Sequence, residues 1–245
     1  MINLLASAPL FGSKHIIGLL VVLTLVVLSL FIIEKKKAPF RIVILVVTFG
    51  LLGLEAIKLI YISIDNGSYP MNHLPFHLCS LPLYLFPILA FAKNPKVIQF
   101  VLPAAYATVL FGGLIALLYP SNIIGGELTW TLSKDNFLPY LSFVYHGLMI
   151  FGPVYILRSG FYRIKLIKIK EAFIVTFIFM VMAMIVNMIF KQDYMLLREG
   201  TGSPFKFILD ISPILYTIVM VLVGFLVVFI FHGITCLLVK NDEQE

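Results

Sequence analysis

Residues 70–82 read P-M-N-H-L-P-F-H-L-C-S-L-P, with His73, His77, Cys79 and Ser80 set among Pro70, Pro75 and Pro82. The stretch lies between two long apolar runs, and its backbone conformation decides how the chain is threaded. Proline at 75 disfavours helical backbone at Leu74 and leaves His73 in extended or turn structure. Pro75 itself suits a first helical position, which predicts a helix from 75 with Phe76, His77 and Cys79 in its first turns. A helix N-terminus there favours a nucleophilic thiol. His77, two residues from Cys79, would then point to the other side of the helix. Pro82 would lie inside that helix, leaving the Leu78 carbonyl free and the axis kinked. Broken backbone at membrane depth is tolerated where it lines a cavity, so the segment reads as a cavity wall.

Working outward, the 245 residues are 61% hydrophobic and 12% charged. With a mean hydropathy of +1.05, no soluble domain could cover that much apolar surface. Taking about 20 apolar residues per crossing, seven spans are expected near 15–33, 41–64, 75–92, 97–119, 137–157, 172–190 and 211–239. The fold class is therefore all-α, a single seven-helix transmembrane domain. Lys35, Lys36, Lys37, Arg41, Lys93, Lys96, Arg158, Arg163, Lys165, Lys168, Lys170 and Lys240 fall on one side of this arrangement. The other side carries only Lys14, Lys134, Lys191, Arg198 and Lys206. The bias places the N-terminus outside and the C-terminus inside.

The net charge of +6 thus sits in short loops with no nucleic-acid-reading module, which excludes nucleic acid as a partner. Five residues before Ala6-Ser7-Ala8 are too few for a signal peptide, so the first helix is expected to be retained. Trp130, in the polar loop 121–136, is expected at the membrane interface. Cys79 and Cys236 map to opposite faces, so no disulfide joins them. No repeat or second domain is evident, which disfavours a transporter.

Ionisable groups inside spans point to function by default. Glu55 and Lys58 stand at i, i+3 and neutralise each other; the bland reading is a packing pair, the sharper one a lipid-headgroup site. His146 lies alone in the fifth span, either a packing histidine or a base for Cys79. From a rise of about 1.5 Å per residue, His146 lies about 13 Å below the outer helix end and Cys79 about 6 Å, so contact needs a tilt or kink. Asn187 is the amide deep in the sixth span. Asp193 to Leu197 follow, then Asp210 at the expected opening of the seventh span, and Tyr216 two turns in. Asp210 also reads simply as a helix cap, and a membrane cysteine simply as a small apolar filler. The His–Cys spacing fits no zinc pattern, so neither a metal nor a cofactor is expected. These polar groups all map to the outer half or mid-membrane, which predicts a cavity open to the outer leaflet and little of consequence in the inner half.

Several pieces together resemble the YwaF-type family of bacterial seven-helix membrane proteins, and more distantly their eukaryotic relative transmembrane protein 164, a lipid acyltransferase. They are Glu55-Ala-Ile-Lys58, Leu74-Pro-Phe-His-Leu-Cys79-Ser80, the stretch from Gly112-Gly113 to Tyr119-Pro120, and His146-Gly147. Tyr194-Met-Leu-Leu197, Pro204, Leu209-Asp210, Pro213 and Tyr216 complete the set. Asp193 departs from it, standing where an asparagine is expected. The resemblance implies acyl transfer through Cys79 as nucleophile with His146 as general base and acid. Ser80 and other polar groups near the helix start would stabilise the oxyanion. Glu55, Lys58, His73, His77, Asn187, Tyr194, Asp210 and Tyr216 would bind substrate or support the site. The partners would be membrane phospholipids or a lipidated substrate, and the location the bacterial plasma membrane. The competing reading is a non-enzymatic seven-helix binder or transporter of a small amphipathic ligand, held by Glu55, Lys58 and the histidines.

Overall fold

In hydrocarbon every backbone N–H and C=O has to find a partner within the chain, so each long apolar run is driven into helix. The computed structural model describes residues 11–119, 137–161, 165–200 and 203–242. The residues 6–8, the loop 121–136 with Trp130 and Lys134, and Pro120 and Arg163 lie outside the described residues. The helices are α1 (Ser13–Lys35), α2 (Phe40–Asn66), α3 (Pro82–Phe91), α4 (Pro95–Leu118), α5 (Phe137–Arg158), α6 (Ile169–Phe190), α7 (Phe207–Ile211) and α8 (Pro213–Asp242). Among the described residues, six helices are long and apolar enough to cross a membrane: α1, α2, α4, α5, α6 with the turn before it, and α8.

The third element departs from expectation. α3 has ten residues, about 15 Å of helix against a hydrocarbon thickness of about 30 Å. No helix starts at Pro75. Leu74 and His77 are extended, with ψ of 146° and 161°, and Leu78–Ser80 forms a single 3₁₀ turn. The helix begins instead with Pro82 in its first turn, where a missing N–H is harmless, so Pro82 caps α3 rather than kinking it. The Leu78 carbonyl is not left free: it accepts from the Leu81 N–H at 3.2 Å.

The segment nonetheless covers the full thickness of the bundle. Arg41, at the start of α2, donates from Nε to the Ala90 carbonyl at 2.8 Å and from Nη2 to the Ala92 carbonyl at 3.3 Å. The chain leaves α2 at Asn66 and returns at Ala92 to the level where α2 began. Bends and two 3₁₀ turns ahead of α3, rather than helix, make up the rest of that distance.

At the chain's other boundary, extended backbone at Ser212 (φ −162°, ψ 123°) separates α7 from α8. The last long helix therefore opens at Pro213, not at 211. Two ends of the bundle can now be named. The lysine-rich end holds the junctions α1–α2, α3–α4 and α5–α6, with Arg158 paired bidentately to Glu34. The Cys79 end holds the start of α1, where His15 Nε2 donates to the Leu117 carbonyl at 2.7 Å.

α4 and α5 are the most enclosed helices, while α1 and α8 are the most exposed. Small residues let membrane helices approach closely, and Gly112-Gly113 does this for α4. A Cβ at 113 would lie 3.0 Å from Met149 Cβ and 3.2 Å from the His146 carbonyl. One at 112 would lie 3.1 Å from Met149 Cε and 4.0 Å from the Leu78 carbonyl. One glycine pair thus supports both the turn carrying Cys79 and the turn of α5 carrying His146.

Candidate active site

A proline-rich segment without helix leaves its carbonyls in need of donors. Three tyrosines from three elements meet that need. The Tyr84 hydroxyl donates to the Pro75 carbonyl and the Tyr145 hydroxyl to the Cys79 carbonyl, each at 2.9 Å. The Tyr194 hydroxyl donates to the Met71 carbonyl. His77 Nε2 adds a bond to the Asn72 carbonyl at 3.1 Å, and its ring meets Tyr194 edge-on at 5.0 Å. The segment is held rigid from outside because it cannot hold itself.

Tyr194 is itself clamped. Asn187 Nδ2 donates to its carbonyl at 3.0 Å and Asn187 Oδ1 accepts from its N–H at 2.7 Å. Asp193 Oδ1 accepts from the N–H groups of Arg198 and Glu199 at 2.9 and 3.0 Å. An asparagine presents the same oxygen, so the departure at this position keeps these two bonds. The Tyr216 hydroxyl donates to the Leu196 carbonyl at 2.7 Å. Beneath it Gly200 has φ +61°, and a Cβ there would collide with the Tyr216 hydroxyl. Asn187, Tyr194 and Tyr216 therefore form one scaffold that braces the 70–82 segment from the side of α6 and α8. Asp210 is exposed on the short α7.

His146 is buried, at 4% exposure. Its Nδ1 lies 2.8 Å from the Ser142 carbonyl and 3.1 Å from Ser142 Oγ. A carbonyl only accepts, so Nδ1 carries the hydrogen and Nε2 of the neutral ring is a bare lone pair. That lone pair has no hydrogen-bond partner. Cys79 is half-buried against the core, and Ser80 beside it is buried. The turns that carry the two residues both rest on Gly112-Gly113. A depth counted from helical rise does not apply to Cys79, because the chain ahead of it runs in bends and 3₁₀ turns. Neither ring nitrogen of His146 is bonded to Cys79 in this arrangement.

Glu55 and Lys58 complete the neighbourhood. Lys58 Nζ lies 2.7 Å from Glu55 Oε1. The approach is off hydrogen-bond direction, so this buried oxygen has a counter-charge but no aligned donor. Lys58 lies within electrostatic reach of His73, His77, Cys79 and His146. Burial, and then the positive charge of Lys58 and the neighbouring His77, push the His73 imidazole down to about 4. His73 sits in the connector ahead of the apolar stretch, where a neutral ring can meet a headgroup.

An apolar cavity of about 450 Å³ opens between α1, α2 and α5, lined by Val22, Val26, Val43, Val47, Gly147 and Phe151 among others. It lies on the opposite face of α5 from His146. Among the described residues no three metal-ligating side chains converge. Sequence reasoning missed Tyr145, Ser142 and Tyr84. The signal was present: a tyrosine buried in an apolar helix needs an acceptor for its hydroxyl, and Ser142 precedes His146 by one helical turn.

No curated protein and no solved structure matches the chain. The kinship lies instead in a sequence profile that takes in the Cys79 turn, the Gly112-Gly113 support, His146 and the Tyr194 scaffold in one run. That profile, of the TMEM164 family, matches residues 10–233, and the chain, a multi-pass membrane protein, belongs to that family.

Proposed function

We propose that the protein transfers acyl chains between membrane lipids through a thioester on Cys79. The observation that carries this reading is the tautomer of His146: its N–H is committed to Ser142, and its bare nitrogen is buried on a helix whose His146 turn packs on the same glycine pair as the turn of Cys79. In the proposed reaction Nε2 takes the thiol proton as Sγ attacks the ester carbonyl of a phospholipid. The C–S bond forms, the ester C–O bond breaks, and the imidazolium returns the proton to the departing lysolipid oxygen. A hydroxyl of a second lipid then attacks the thioester, gives its proton to Nε2 and restores the thiol. Lys58, within electrostatic reach of Cys79, and Ser80, next to it in the chain, would stabilise the oxyanion. The reaction requires Sγ and Nε2 to come within hydrogen-bond reach when the ester enters.

The reading includes a topology. The 75–92 segment crosses as a broken span, giving seven crossings with the N-terminus outside, the C-terminus inside and Cys79 toward the outer leaflet of the bacterial plasma membrane. Its antiparallel run beside α2 and the lysine bias support this. The test is turnover of a fluorescent phospholipid and a lysolipid acceptor by purified protein in lipid discs. Wild type should form acylated acceptor and Cys79→Ser should lose nearly all of it, since an alcohol is a far weaker nucleophile with a mild base. Unchanged lipid binding with no transfer in either protein would instead fit a binder.

A further inference from the structure

Lipid tails are as apolar as leucine, so an apolar cleft between membrane helices is a place for acyl chains. α1 and α2 each pack along α5 and make little contact with each other. Glycines set how close they come. A Cβ at Gly147 of α5 would lie 2.8 Å from Val22 of α1, and one at Gly50 of α2 would lie 3.0 Å from Leu148 of α5. The cavity of about 450 Å³ opens between α1 and α2, and its lining among the described residues is apolar apart from the Ser29 hydroxyl. Ligand clefts occupy about 300–1,000 Å³, and this one falls within that range. Its rim residues Leu25, Ile42, Val46 and Val144 are exposed, so the cleft opens sideways to the surrounding lipid.

Depth and charge identify the occupant. Along α1 the wall runs from Val22, near the middle of the helix, to Ile33 near its lysine-rich end, which is about 16 Å of helix. Half of a hydrocarbon core of about 30 Å is about 15 Å, so the cleft has the depth of one leaflet. It occupies the lysine-rich half of the bundle, where little of consequence was expected. Ile33 and Ala38 are both wall residues, and the chain between them reads Glu34-Lys35-Lys36-Lys37. Glu34 is taken up by Arg158, so the acid of this junction does not neutralise its three lysines, all of which are exposed. Arg41 nearby is committed to the Ala90 and Ala92 carbonyls. An apolar cleft one leaflet deep that ends beneath three ammonium groups is complementary to a lipid with an apolar chain and an anionic head.

We propose that the cleft between α1, α2 and α5 binds an anionic phospholipid, with one acyl chain along the cleft and the phosphate on Lys35, Lys36 and Lys37. The site involves neither Cys79 nor His146 and is independent of the acyl-transfer reading.

Native mass spectrometry of the full chain tests it, with phosphatidylglycerol or phosphatidylcholine of the same chain length titrated into the micelles. Wild type should retain one phosphatidylglycerol at least about tenfold more tightly than phosphatidylcholine. The triple variant Lys35→Gln, Lys36→Gln, Lys37→Gln alters exposed side chains only. It should melt as wild type does in phosphatidylcholine and lose that preference. Ser29→Phe sets a ring into the cleft and should weaken retention of both lipids. Glycerol phosphate, a head without a chain, should not compete. Equal retention of the two lipids by wild type overturns the proposal, as does a preference that survives in the triple variant. Retention untouched by Ser29→Phe, or displacement by glycerol phosphate, takes the chain out of the cleft and overturns it too. A dimer that excludes lipid would give the cleft to a second copy of the chain and contradict the proposal.

Discussion

The two ends of the bundle use the same device to different ends. At each, a buried histidine gives one ring N–H to a backbone carbonyl and leaves the other nitrogen unpartnered: His146 on Ser142, His232 on Lys165. The charges around the two rings differ. Lys58 lies within electrostatic reach of His146, and Glu171 within reach of His232. His15 supplies the contrast, because its Nε2 bonds Leu117 and its Nδ1 accepts from the Phe11 N–H at 3.3 Å. A histidine that only packs uses both nitrogens; one kept for proton traffic does not. In the proposed acyl transfer His146 is the one with chemistry to do.

Removing the thiol should break the comparison most severely. Cys79→Ala is expected to lower acyl-transfer turnover by about a thousandfold or more, and His146→Gln by about 10²–10⁴, while His15→Gln leaves turnover within a fewfold. Turnover and melting midpoint measured together separate the two kinds of histidine. Comparable losses at His15 and His146 would show that both are packing residues.

The shared support comes next. Gly113→Ala sets a methyl 3.0 Å from Met149 Cβ and 3.2 Å from the His146 carbonyl. Because backbone is involved, a destabilisation of about 1–3 kcal/mol is expected. Gly53→Ala meets nothing within 4 Å and should be neutral. Equal melting midpoints for the two variants would remove Gly113 as the support beneath the site.

Tyr145→Phe deletes the 2.9 Å bond to the Cys79 carbonyl and should cost about 1 kcal/mol of stability. Its larger effect is expected in kcat, because it loosens the turn carrying the thiol. A variant with lower stability but an unchanged kcat would make Tyr145 a brace without influence on the chemistry.

The smallest effect concerns pH. His73 is held down to about 4 in the folded protein, by burial first and then by Lys58 and His77, against an unfolded value of about 6.5. Between these values the unfolded chain binds the extra proton, so this residue's contribution to stability falls as pH drops from about 6.5 to about 4. His73→Gln should flatten that part of the melting-versus-pH curve. A curve unchanged by the substitution would place His73 in water rather than against Lys58.

Much of this was legible in the residues themselves. Apolar runs located the six long helices to within a few residues, because hydrocarbon leaves the backbone no alternative. The 70–82 segment was read as special but given the wrong conformation. Its prolines fit a helix starting at 75 as well as one starting at 82, and the tyrosines that favour the second answer lie on other elements. Cys79 and His146 stood out by type. The packing of their two turns on one glycine pair did not, since it depends on a third helix. His232 went unnoticed inside the last apolar run because the Lys165 carbonyl it binds, 67 positions earlier in the chain, meets it only through packing.

The most direct test of the central claim is to trap the acyl group. Purified protein in native lipid would be treated with an acyl-thioester probe and read by intact mass, wild type beside Cys79→Ala and His146→Ala. The account predicts one acyl adduct on wild type, released by hydroxylamine, absent from Cys79→Ala and strongly reduced in His146→Ala. An unmodified wild-type chain with an intact melt, or an adduct that survives in Cys79→Ala, would contradict it.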